Sequence, residues 1–270
     1  NYGICIIISI LIIIGGLGFT VITNFLSFLK SKKDKNNKHT LSLHSKIVLC
    51  MTFSLIGVGT ILVFIFEYNS AFEGFSVSKK ILSSFFQSVT LRTAGFETVP
   101  QADFSNASTF ISYILMLIGG SPGSMAGGIK TTTLFLILCS AYKNPSDKDE
   151  PSVFHRDIPF DNIYKAVSIF VKGICFLCCA FLLLLISEQK SISAGLFTTS
   201  DLLFETISAL GTVGLSKGIT SSISFIGKII LIITMFAGRT GLTFIFINTG
   251  ANKTKLNSLT DYPKEDVLVG

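Results

Sequence analysis

Two tripeptides in this sequence have the residue types needed to hold a bare cation with backbone oxygens: Thr93-Ala94-Gly95 and Thr212-Val213-Gly214. Each follows a short apolar stretch, residues 81–91 and 202–210. At about two to three helical turns, neither stretch can cross a hydrocarbon core about 30 Å thick. A short helix aimed inward would present its partly negative C-terminal end to the membrane centre, which favours a cation there. The Thr-X-Gly that follows leaves carbonyls free of helical bonding, and glycine supplies backbone angles that other residues avoid. Rings of such carbonyls can replace the hydration shell of a monovalent cation. Irregular backbone at that depth is tolerated only where it lines a water-filled path or is buried in protein. For either stretch alone, an interfacial amphipathic helix is the alternative.

The elements that must position these tripeptides are legible from charge segregation. Of the 270 residues only 14% are charged, against about a quarter in a typical soluble domain, and 49% are hydrophobic. Mean hydropathy is +0.65. Residues 1–29, 47–66 and 104–129 carry no charge. The sequence therefore predicts an all-α polytopic membrane protein with five long spans, at about 4–29, 47–66, 107–142, 163–187 and 225–250. It excludes a soluble enzyme, a disordered tail and a disulfide-stapled secreted module. The net charge of +6 does not point to nucleic acid, because Lys30, Lys32, Lys33, Lys35, Lys38 and Lys46 crowd one loop between two apolar runs. That pattern places loop 30–46 in the cytosol, the N-terminus outside and the tail 251–270 inside.

An internal repeat ties the two tripeptides together. A shift of 119 residues puts Phe85 on Phe204, Leu91 on Leu210, Thr93 on Thr212 and Gly95 on Gly214. Without a gap it also puts Gly119 on Gly238 in the following long helix. The unit is long helix, short helix, Thr-X-Gly, long helix with a mid-span glycine. Ile14 to Phe19 reads as a further copy of the last part, which implies a chain that begins inside a repeat. Residues 119–128 hold five glycines and one proline in ten positions, so the long helix after the first tripeptide must break there.

Other constellations are weaker. Gly119-Gly-Ser-Pro-Gly123 satisfies the nucleophile-elbow pattern, but His39, His44 and His155 all fall in cytosolic loops. Residues 123–131 are one residue from a phosphate-binding loop and lack a preceding strand. Cys5, Cys50, Cys139, Cys175, Cys178 and Cys179 lie in apolar spans and read as buried small hydrophobes rather than a metal site. Glu97, Asp103 and Glu205 could draw cations towards a pore mouth, with solvated loop charges as the default. Arg239 reads as a tie to loop carbonyls or a positive barrier. Lys130 closes the loop, and Lys172 reads as snorkelling.

Four segments together carry a specific resemblance: FQSVTLRTAGF at 86–96, IGGSPGSMAGGIKTTT at 118–133, SALGTVGLS at 208–216 and MFAGRTG at 235–241. They resemble the motifs of the Ktr/Trk/HKT potassium transporters, most nearly those of the membrane subunit of the Ktr branch, and the tail at 262–270 is similar too. In that family four helix–pore-loop–helix repeats surround one pore. The resemblance implies potassium-channel-like architecture in which 1–29 is the inner helix of a preceding repeat, 47–142 the third repeat and 163–250 the fourth. Loops 30–46 and 143–162 and the tail 251–270 would then be cytosolic. It implies that Thr93, Ala94, Gly95, Thr212, Val213 and Gly214 form the selectivity filter. It also implies that Gly119, Gly120, Ser121, Pro122, Gly123, Gly127, Gly128, Lys130 and Arg239 belong to an intramembrane gate.

The family usually has Thr or Gly where Met125 stands, and Gly-Arg-Val-Gly-Pro where Arg239 is followed by Thr-Gly-Leu. The implied function is potassium uptake across the cell membrane, with or without sodium, and with no cofactor in this chain and no enzymatic activity. The implied partners are a second copy and a cytosolic ring of nucleotide-binding regulatory subunits. Because 270 residues amount to about two and a quarter repeats, the alternative is a non-conducting remnant or assembly fragment.

Overall fold

The computed structural model describes residues 2–33, 40–142 and 150–241. The expected tail 251–270, the last span beyond Gly241 and the middles of loops 30–46 and 143–162 lie outside the described residues. Ten α-helices, one 3-10 turn at Gln101–Asp103 and one small hairpin make up the described residues. Helix α3 (Leu43–Glu67) begins at Ser42, whose hydroxyl accepts from Ser45 N–H at 3.2 Å. With 25 residues it is about 37 Å long, enough to cross a bilayer core. Helix α7 (Phe160–Ser187), of 28 residues, is the other described helix of sufficient length and apolarity.

The first apolar run departs from the expected single span. It forms α1 (Tyr2–Leu17) and α2 (Phe19–Lys33), bent by 100° at the break. Gly18 makes the corner with φ +81°, and a Cβ there would lie 2.6 Å from Ser121 Oγ and 3.0 Å from Pro122 O. The turn thus seats the chain on another segment, a tertiary demand that hydropathy does not encode. Nothing lies within 4 Å of a Cβ at Gly15, the first glycine of the partial copy at 14–19.

The short stretches are helices α4 (Val77–Thr90) and α9 (Thr199–Gly211). Thr198 and Asp201 form a reciprocal capping box that starts α9. The expected span 107–142 is split into α5 (Asn106–Leu117) and α6 (Thr131–Tyr142), with the glycine-rich segment between them as predicted. Strands β1 (Ser152–Val153) and β2 (Arg156–Asp157) form an antiparallel hairpin before α7. A five-residue helix, α8 (Gln189–Ser193), precedes α9, and α10 (Phe225–Thr240) follows it.

Apolar side chains face outward on the long helices as well as inward, and polar ones are buried on the short helices. Ile61 and Ile65 on α3, Leu182 and Ile186 on α7, and Ile232 and Ile233 on α10 are exposed. Ser84, Gln87, Ser88 and Thr90 on α4, and Thr206 and Ser208 on α9, are buried. Lipid accepts the first set, whereas polar groups at membrane depth must find partners inside the protein. Helix α9 is enclosed by α5, α7 and α10, and α4 lies between α1 and α3. Leu91, Leu115, Met116, Phe204, Leu210 and Val213 share one apolar core around the ends of both short helices. The cysteines correct an expectation: Cys50, Cys175, Cys178 and Cys179 are exposed, and Cys5 and Cys139 are half-buried. The four exposed ones lie on outward faces of α3 and α7 rather than in a core.

A second device recurs with the repeat. Buried Glu67 at the end of α3 accepts from Ser105 N–H at 3.0 Å and Ser105 Oγ–H at 2.6 Å. Buried Glu188, just past α7, accepts from Ser224 N–H at 3.1 Å and from the Ser224 hydroxyl. Ser105 and Ser224 are the N-caps of α5 and α10 and stand 119 residues apart. In each copy a carboxylate rests on the positive end of the next long helix.

Candidate functional site

Thr212 directly follows α9, whereas Leu91 and Arg92 lie between the end of α4 and Thr93. Thr93 and Thr212 have φ +66° and +52°, Gly95 and Gly214 have φ +74° and +90°, and Ala94 and Val213 stay outside that region. Positive φ at a β-branched threonine is unusual and costs energy, so its recurrence in both copies marks a surrounding structure that enforces it. The alternation of hand sets successive carbonyls on the same side of the chain.

Hydrogen bonds fix which side that is. Ala94 N–H donates to Thr90 O at 3.1 Å, and Val213 N–H donates to Ser208 O at 2.9 Å. In a trans peptide the C=O points opposite to the N–H, so the Thr93 and Thr212 carbonyls point away from α4 and α9. Among the described residues, no hydrogen bond ends on the carbonyls of residues 93–95 or 212–214. The two tripeptides also meet. A Cβ on Gly95 would overlap Val213 O, and one on Gly214 would stand 3.7 Å from Gly95 Cα. Each tripeptide also lines a cavity of its own. Thr93 and Ala94 border one of about 380 Å³ with Arg92 and Met125, and Thr212 and Gly214 border one of about 440 Å³ with Arg239.

The segment between α5 and α6 packs against both. A Cβ on Gly127 would overlap Thr212 Oγ1, and one on Gly119 would lie 3.6 Å from Thr93 Cγ2. The segment closes on itself through Gly119 N–H to Ile129 O at 2.9 Å and Thr131 N–H to Gly120 O at 3.1 Å. It is tied to the α1–α2 corner by Ser121 N–H to Gly16 O at 3.0 Å, by the Ser121 hydroxyl to Leu17 O, and by Phe19 N–H to Gly123 O at 3.4 Å. Three cations donate to its carbonyls: Arg92 to Gly119 at 3.3 Å, Lys130 to Ala126 and Arg239 to Met125. Every residue expected in the gate is therefore in or on this one segment, and the Ser121 hydroxyl is spent on backbone rather than poised as a nucleophile. Gly119 and Gly238, aligned in sequence, differ in role: Gly119 sits at the helix break, whereas a Cβ on Gly238 inside α10 would overlap Leu210 O.

The acids near the mouth divide. Glu97 and Asp103 are exposed, as solvated loop charges would be. Glu205 is instead buried, accepting from the Ser216 hydroxyl and from Thr220 Oγ1–H at 3.2 Å, so it braces the turn after Gly214. Asp201 pairs with Lys217 at 3.4 Å across the same turn. Burial alone would raise the Asp201 carboxyl, but the Thr198 bonds and the Lys217 charge outweigh it and hold it below the usual carboxylate range. Lys172 is exposed on α7 and already engaged with another group. Among the described residues no His/Cys/Asp/Glu cluster could hold a metal ion.

Sequence reasoning missed Arg92, a cation only 6% exposed with no carboxylate bonded to it, whose Nε has no partner among the described residues. A lone charge in an otherwise uncharged stretch was the available signal. It also missed Thr90 and Ser208. Beyond receiving the N–H of the middle residue, Thr90 Oγ1–H donates to Phe96 O at 2.7 Å and Ser208 Oγ–H donates to Leu215 O at 2.7 Å.

Comparison with known proteins adds the following. Residues 1–251 match the family profile described as TrkH, cation transport protein. The chain is 33% identical over 272 residues to the potassium/sodium uptake protein NtpJ of Enterococcus hirae, covering all of this chain and 58% of that protein. It is 35% identical over 271 residues to Ktr system potassium uptake protein D of Bacillus subtilis, again covering 58% of the relative. The chain thus spans little more than half the length of these curated relatives. The fold is similar to that of the potassium transporter TrkH from Vibrio parahaemolyticus, with a TM-score of 0.71 at 17% identity, covering 92% of this chain and 52% of that one.

Proposed function

Because this chain belongs to the TrkH family of cation transport proteins, which are transporters rather than enzymes, we propose that it carries half of a potassium-selective pore. Thr93, Ala94, Gly95, Thr212, Val213 and Gly214 supply carbonyls to the filter, and two further segments of the same kind complete the ring, as the greater length of the relatives allows. Potassium moves inward down its electrochemical gradient. Sodium enters the proposal as a second ion because the Enterococcus relative is named for both. The observation that carries this reading is the set of six carbonyls without a donor among the described residues, in two copies with matching handedness, brought together at Gly95 and Gly214.

Residues 119–130 form the gate. Their contacts with Thr93 and Thr212 and their ties to Arg92, Lys130 and Arg239 support a segment that closes the path beneath the filter. The domain plan follows: 1–29 ends one repeat, 47–142 and 163–250 are whole repeats, and 30–46, 143–162 and 251–270 face the cytosol. The protein resides in the cell membrane as a homodimer. A cytosolic nucleotide-binding ring engages the inner loops, where Lys46 lies over the Phe154 ring of the hairpin at 5.6 Å. The test is growth of a potassium-uptake-deficient strain on low potassium when it expresses the native reading frame containing this chain. Restored growth supports the reading, and no growth from protein present in the membrane contradicts it.

A further inference from the structure

Thr90 and Ser208 play the same hydrogen-bonding role in the two repeats, although they stand one residue out of the 119-residue register. Each gives its carbonyl to the N–H of the middle residue of its Thr-X-Gly, and its hydroxyl to the carbonyl just after the glycine. A single residue thereby brackets the three filter carbonyls from both ends. Thr90 is fully buried, and Ser208 is 4% exposed where it borders the cavity beside Thr212 and Gly214. The bond turns the Phe96 and Leu215 carbonyls back towards the short helices and out of line with the three before them.

We propose that the Thr90 and Ser208 hydroxyls are specificity-determining positioning groups, which end the row of ion-facing carbonyls at Gly95 and Gly214 and fix its spacing. This rests on the filter reading. Discrimination between potassium and a smaller cation depends on carbonyls that hold their number and separation, whether by fit or by field strength. Without the hydroxyl, the fourth carbonyl is free to swing and the third loses its anchor. A buried hydrogen bond has a net value of about 0.5–1.5 kcal/mol, which corresponds to about twofold to tenfold in an ion ratio.

The test measures the ratio of potassium to sodium uptake, per amount of protein in the membrane, for the native protein, Thr90→Val, Ser208→Ala, Thr90→Ser and Gly214→Ser. Thr90→Val and Ser208→Ala are expected to lower the ratio about twofold to tenfold, and Thr90→Ser to restore it. Unchanged ratios in both hydroxyl-deleting variants would overturn the proposal, as would a Thr90→Ser ratio as low as that of Thr90→Val, since packing and not the hydroxyl would then be acting. If Gly214→Ser shifts the ratio while the hydroxyl variants do not, only this proposal fails. If Gly214→Ser leaves it unchanged as well, the filter reading fails with it.

Discussion

Gly95 and Gly214 meet backbone to backbone, with so little room that a Cβ on Gly95 would overlap Val213 O while one on Gly214 would stand 3.7 Å from Gly95 Cα. The two copies of one motif, 119 residues apart, thus pack against each other asymmetrically. Both glycines have positive φ, so any side chain costs about 1–2 kcal/mol in backbone strain. Only Gly95 adds a steric overlap. Gly95→Ala is therefore expected to abolish potassium uptake and Gly214→Ala to reduce it about tenfold or more. Equal losses measured by rubidium uptake would show that the contact has no part in it.

Arg239 donates to Met125 O from α10, and it borders the cavity beside Thr212 and Gly214 with no hydrogen bond to either. Arg239→Gln removes a charged donor worth about 1.5–3 kcal/mol and should let the 119–130 segment open more often. Maximal uptake is expected to rise several-fold with the potassium to sodium ratio unchanged. A fall in rate at normal membrane abundance would assign Arg239 to the conducting path instead.

Gly18 turns α1 into α2 against Ser121 and Pro122. Gly18→Ala strains the corner and pushes on the same segment, so uptake rate should change while ion selectivity does not. A changed ratio at an unchanged rate would place this corner at the filter rather than at the gate.

Glu188 and Ser224 form a helix-end clamp in one repeat, as Glu67 and Ser105 do in the other. Glu188→Gln and Ser224→Ala should each lower the unfolding midpoint in detergent, and the double variant should lose less than the sum, with a coupling of about 1.5–3 kcal/mol. Additive losses would mean that the two side chains act separately.

What could be read in the sequence follows physical lines. The two Thr-X-Gly tripeptides, the short helices before them and the break at 118–130 were legible, because length and glycine content bear directly on what a membrane tolerates. Thr90 and Ser208 were not, since they stand 118 residues apart while Gly95 and Gly214 stand 119 apart, so a gapless shift aligns each with a neighbour. Two residues separate Thr90 from its tripeptide and three separate Ser208 from its own. The bend at Gly18 was hidden in a uniformly apolar run. Glu67 and Glu188 carry no signal in the sequence, because the N-caps they hold lie 38 and 36 residues away, and Glu205, expected as a solvated loop charge by default, is covered by Ser216 and Thr220.

The central claim is that residues 93–95 and 212–214 coordinate the transported ion. Gly214→Ser tests it most directly, because a Cβ there overlaps no neighbouring atom and the cost falls on the positive-φ backbone of the tripeptide itself. In liposomes holding the complete native protein, the potassium to sodium uptake ratio is expected to fall about tenfold in Gly214→Ser. A ratio equal to that of the native protein, at equal protein content, would contradict the account.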